Sequence, residues 1–88
     1  MIPRHLHRLF WDVNLDNFNP ADYPRYTISR ILELGDDDAV QWMRATFSEA
    51  DIRNVIMTDR TLSQKSAHYW ALVYGMSPTD VAALHPAS

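Results

Sequence analysis

Three consecutive carboxylates, Asp36, Asp37 and Asp38, and four histidines, His5, His7, His68 and His85, are the side chains of this chain best suited to hold a metal ion. Their spacing argues against it. A calcium loop needs oxygen ligands at alternate positions over about a dozen residues, closed by a glutamate, and no such series follows Gly35. His-x-His at 5–7 lacks the further ligands of a tetrahedral site. Acidic residues directly after a glycine suit the positive end of a helix instead. Neither a metal nor a cofactor is expected.

A second cluster lies in "DRTLSQKSAHYWAL", residues 59–72. Arg60, Lys65, His68 and Tyr69 have the chemistry to grip phosphates or a protein surface. Two helices over 49–58 and 64–74, joined by a tight turn, would have the outline of a helix-turn-helix. Gln64, Lys65 and His68 would then face a groove, with Arg60 on a phosphate. Charge opposes this reading. Residues 48–75 set Arg53, Arg60 and Lys65 against Glu49, Asp51 and Asp59, and the chain carries a net charge of −3. Phosphate-led binding usually rests on a basic face. DNA recognition is therefore the alternative, and a protein partner is the first expectation.

Catalysis has little to stand on. There is no cysteine, and both glycines fit helix stops rather than a phosphate loop. No nucleophile–base pair follows from spacing alone. The chain is expected not to be an enzyme.

Helices must position these residues. Pro24 can open one, because the first helical turn has no use for its missing N–H. Ile28, Ile31 and Leu32 follow at helical spacing, and Gly35 is expected to end the helix in the left-handed conformation. Asp36 or Asp37 then caps a second helix bearing Val40, Met43 and Phe47. Ser48, with Asp51 three residues on, opens a third with Ile52, Val55 and Ile56. Ser63 caps a fourth that Gly75 ends. That helix has Ala67, Trp70, Ala71 and Tyr74 on one face and Tyr69, Leu72 and Val73 on another, a pattern that predicts central burial. "SPTDVAAL" predicts a short fifth helix capped by Ser77. Residues 5–13 fit either a short helix or an extended segment laid on the bundle.

The class is accordingly all-α: a compact bundle of four to five short helices with an N-terminal segment packed on it. Eighty-eight residues predict one domain over 1–88, with 1–8 and 85–88 mobile. A chain of this size buries only roughly 60–70% of its unfolded surface, so bulky side chains must fill the core. Trp11, Ile28, Ile31, Leu32, Met43, Phe47, Ile52, Val55, Trp70 and Ala71 are the expected core. No apolar run nears the roughly 18–20 residues of a membrane span, and a cytoplasmic protein is expected.

"LFWDV" (9–13), "ISRILELGD" (28–36), Trp42 and "LSQKSAHYWAL" (62–72) together resemble a family of small bacterial helical proteins of unknown function. The resemblance covers roughly residues 7–75. Genes of that family often lie beside nucleotidyltransferase-like toxins of the AbiEii type, which implies an antitoxin-like partner that binds and neutralises such a toxin. Ser29 departs from the pattern, where an acidic residue is expected before Arg30, which removes the acid that an Arg30 contact of that kind would rely on. For a partner surface, Asp36, Asp37, Arg60, Lys65, His68 and Tyr69 are the expected contacts. They lie at helix starts or beside the core stripe.

Overall fold

The computed structural model describes residues 2–84; the mobility expected of 85–88, and His85 with it, lies outside them. Four α-helices follow one another: α1 (Pro24–Leu34), α2 (Asp37–Thr46), α3 (Glu49–Thr58) and α4 (Gln64–Val73). A 3-10 helix, Arg4–Phe10, precedes them. Among the described residues there is no strand, so the fold is all-α, with the N-terminal segment packed on the bundle.

Each α-helix starts where a side chain can satisfy its free amides or where none is needed. Pro24 opens α1, and Asp36, Ser48 and Ser63 accept the amides of Ala39, Asp51 and Ser66. Gly75 ends α4 with φ +66°. The Met76 amide bonds the Ala71 carbonyl and the Gly75 amide bonds that of Leu72, the paired pattern of a Schellman ending. Gly35 differs from expectation. Its backbone is extended, not left-handed. A Cβ there would lie 2.7 Å from the Ile31 carbonyl oxygen and 3.0 Å from the Ala39 Cβ. Glycine is needed for close approach between the end of α1 and the start of α2.

The hub of the bundle is α1, not α4. It packs against the other three α-helices and the N-terminal 3-10 helix, with Thr27, Ile28, Ile31 and Leu32 all buried. Met43, Ile52, Val55, Ile56, Trp70 and Ala71 complete the core that the helical spacing predicts. The expected fifth helix is two 3-10 turns, Pro78–Asp80 and Ala82–Leu84. Between them Val81 leaves helical geometry and is fully buried.

Two expected core residues sit elsewhere. Phe10 takes the core place, and Trp11, next along the chain, is 68% exposed. Phe47 ends α2 in extended backbone and lies only partly buried, edge-on to Trp42. The segment 1–8, expected to be loose, is packed from its second residue: Ile2 and Leu6 are buried in the core, and His7 Nε2 lies 3.2 Å from the Ile2 carbonyl. Leu6, Leu9 and Phe10 all reach the core from one 3-10 helix.

Candidate partner-binding surface

The six sequence-predicted residues divide by place. Asp36, Asp37, Lys65 and Tyr69 line one groove of about 560 Å³ between the α1–α2 corner and α4. His68 lies on the far side of Tyr69, where it lines a shallow depression with Leu72 and Met76. Arg60, exposed in the α3–α4 turn, lines neither. Asp36 is already engaged. One carboxylate oxygen accepts the Ala39 amide, and the other takes Arg8 Nη2 at 2.6 Å. The Ala39 amide, with Arg8 beside it, holds its carboxyl below the usual range.

Glu33, the first acid of the run from Glu33 to Asp38 that suits a basic partner surface, lies in the same groove but is engaged within the chain. Its two oxygens accept the Ser63 amide at 2.6 Å, the Ser63 hydroxyl at 2.8 Å and the Ser66 hydroxyl at 2.6 Å. Burial pushes its carboxyl up, but these bonds outweigh that and leave it lowered. A carboxylate of α1 thus closes the positive end of α4. Asp59, only 6% exposed, pins the other end of the turn by accepting the amide and hydroxyl of Thr61. Burial raises its pKa, and hydrogen bonds from Ser29 and Thr61 bring it below the ordinary value. Ser29, where the resemblance suggests an acid, therefore serves Asp59.

Apolar residues stand beside this groove. Tyr69, Leu72 and Val73 are 59%, 82% and 42% exposed. Their spacing of three and four places them on one face of α4. The sequence carries a signal for this face. An α4 apolar on two sides suggests central burial, but only Ala67, Trp70 and Ala71 are inside.

A larger depression, about 700 Å³, lies elsewhere, along α1, lined by Tyr23, Arg25, Tyr26, Arg30, Leu34 and Asp59 among others. Its central polar groups, Tyr26 and Arg30, have partners inside the chain. Arg30 donates to the Leu9 carbonyl, to Asp12 at 2.7 Å and to the Tyr26 hydroxyl at 2.7 Å. Its guanidinium lies 4.6 Å from the Trp11 ring centre and 4.8 Å from that of Tyr26. Tyr26 donates to the second Asp12 oxygen at 2.6 Å. Hydrogen bonds from Arg30 and Tyr26 lower Asp12 to about 2. Burial and the bond to Asp12 raise Tyr26 to about 12. A general acid or base works best with a pKa near the operating pH, and these two are driven away from neutrality. Volume alone does not make this depression a site.

Among the described residues no three of His, Cys, Asp and Glu gather where they could hold a metal ion, and no helix is long and apolar enough to cross a membrane. A model of a family of unknown function, DUF6922, matches residues 6–56. The chain belongs to this family. The DUF6922 match runs from the N-terminal 3-10 helix into α3 and stops before α4, so it is shorter than the resemblance over 7–75 and omits "LSQKSAHYWAL". No curated protein and no solved structure matches the chain.

Proposed function

We propose that this protein is a non-catalytic interaction module, the antitoxin-like partner of a nucleotidyltransferase-type toxin. The observation that carries the reading is the apolar face of α4. Tyr69, Leu72 and Val73 stand in water beside the groove that Asp37 and Lys65 line. Contiguous exposed apolar side chains with a polar rim are the usual mark of a protein-binding surface, and aromatic residues commonly anchor such interfaces. The acids Asp36 to Asp38 at one edge suit a basic, nucleotide-binding partner surface, where opposite charge speeds encounter.

The DNA-binding alternative draws on the two helices at 49–58 and 64–73. What weighs against it is Glu33, whose carboxylate already occupies the start of α4 where a phosphate or base edge would approach. The toxin partner itself rests on the family resemblance.

Co-expression with a nucleotidyltransferase-type toxin encoded beside this gene is the test. The two chains should co-elute, and Leu72→Asp or Tyr69→Ala should weaken the complex at least tenfold without changing helix content. Separate elution at micromolar concentration, with the toxin still active, would refute the reading. Binding to promoter DNA that survives Leu72→Asp but is lost in Lys65→Ala would favour the alternative.

A further inference from the structure

Arg44, from α2, and Arg53, from α3, converge on one ring. Each guanidinium carbon lies 5.5 Å from the centre of Tyr74, just past the end of α4. These three side chains line a depression of about 600 Å³ together with Phe47, Glu49 and Val73.

The donors there outnumber the acceptors. Arg44 uses Nε on the Tyr74 hydroxyl oxygen at 3.3 Å, and Arg53 uses Nε on Glu49 at 2.9 Å. Both Nη nitrogens of each arginine, and the Tyr74 hydroxyl proton, have no further partner among the described residues. Among the residues lining this depression Glu49 is the carboxylate, against the two guanidinium groups, while Arg44 also borders the groove of Asp36 and Asp37. Two positive groups lining one depression suit an anion. A carboxylate offers two oxygens to this set of donors. A phosphate offers three or more and matches two guanidinium forks. Phe47, Val73 and the Tyr74 ring supply an apolar wall for an organic body, and the volume lies within the range of small-molecule sites.

We infer that the Arg44–Arg53–Tyr74 pocket binds the phosphate group of a small phosphorylated molecule. This site adjoins the toxin-facing groove, sharing Arg44 and Val73 with it, but it does not depend on the toxin reading and can be tested on the chain alone. Phenyl phosphate, inorganic phosphate and benzoate are titrated into 15N-labelled protein at constant ionic strength. Phenyl phosphate should shift the Tyr74 and Gly75 amides and the Arg44 Nε signal with saturation in the millimolar range or tighter. Inorganic phosphate should bind more weakly at the same signals, and benzoate at least tenfold more weakly than phenyl phosphate. The Arg44→Gln, Arg53→Gln double variant should lose the shifts while keeping its helix content, because both side chains are at least partly exposed. Tyr74→Phe should weaken binding severalfold. Shifts that fail to saturate, that benzoate matches, or that persist in the double variant would overturn the assignment. An altered fold in the double variant moves the decision to Arg44→Gln alone, which must weaken phenyl phosphate at least fivefold for the site to stand.

Discussion

The outer face of α1 and the outer face of α4 are both aromatic and both border a groove, yet their side chains are disposed in opposite ways. On α1, Tyr26 and Arg30 end on Asp12, and Trp11, although 68% exposed, covers the Arg30 guanidinium. On α4, Leu72 leaves 82% of itself in water. An exposed aromatic ring is therefore a poor guide to a binding surface unless the space beneath it is also inspected. At Tyr26 and Arg30 the α1 face is closed by its own chain, although Tyr23 and Leu34 keep 56% and 47% of themselves exposed, and the α4 face, with Leu72 at 82%, is the more open of the two.

The sharpest division runs through α4 itself. Trp70 is buried, and its indole N–H donates to the Leu32 carbonyl at 2.8 Å, which ties α4 to the hub helix. Trp70→Ala should cost about 3–5 kcal/mol, a large part of the roughly 5–15 kcal/mol that holds a domain of ordinary stability. Urea denaturation measures it. A loss under about 1 kcal/mol would mean that the inner face of α4 is not anchored as described, and the contrast between its two faces would go.

Two glycines test how the faces are set. Gly35→Ala would push a methyl group against backbone at the α1–α2 corner and should cost about 1–3 kcal/mol. At Gly75 a methyl group would meet no atom within 4 Å, so only the positive φ resists alanine. The expected loss there is about 1–2 kcal/mol, and Gly75→Asn should recover part of it. Equal recovery by Gly35→Asn would contradict close packing at the corner.

Helix order and starts were legible in the sequence because capping and periodicity are local. Pro24, Asp36, Ser48 and Ser63 all fall where their chemistry requires. Long-range pairing was not. Nothing in the spacing of Asp12, Tyr26 and Arg30 says that a 3-10 helix will bring the first to the other two, so apolar character points Trp11 to the core when its ring covers a guanidinium instead. The same limit hid the role of Glu33, legible only as one of an acidic run, because its partners Ser63 and Ser66 lie about thirty residues away. Of the expected partner contacts, four share one groove because the α1–α2 corner meets α4 there. Arg60 does not, since its turn is held to α1 by Asp59 and Ser29.

The closed face should announce itself in pH dependence. The carboxyls of Asp12, Glu33, Asp36 and Asp59 all lie below their ordinary values in the folded chain. Each contributes stability that is fully present above its unfolded pKa and lost as pH falls through the folded one. For Asp12 that window runs from 3.8 down to about 2. Tyr26 acts at the opposite end: its pKa rises from 10.0 to about 12, so its contribution is present below 10.0 and lost as pH climbs through about 12. Asp12→Asn should lower stability at neutral pH and flatten both limbs of the profile. An acid limb of unchanged steepness in Asp12→Asn would place the pH dependence on Glu33, Asp36 and Asp59. Ser63→Ala, which removes a cap and one partner of Glu33, should cost about 1 kcal/mol at neutral pH.

The smallest expected effect on stability is the most informative about function. Leu72 follows Trp70 by two positions, which turns it away from the core, and its exposure leaves little burial to lose. Leu72→Ser should change the unfolding free energy by no more than about 0.5 kcal/mol. An open face requires a second result beside it: the variant should bind the proposed toxin partner more weakly and be more soluble at high concentration, because an exposed apolar patch favours association. A loss of stability as large as a core truncation would show that Leu72 is covered within the chain, and the α4 face would then be as closed as the α1 face. Unchanged stability with unchanged partner binding would leave the face open but assign the interface elsewhere. The groove side, with Asp37 and Lys65, would be the next place to substitute.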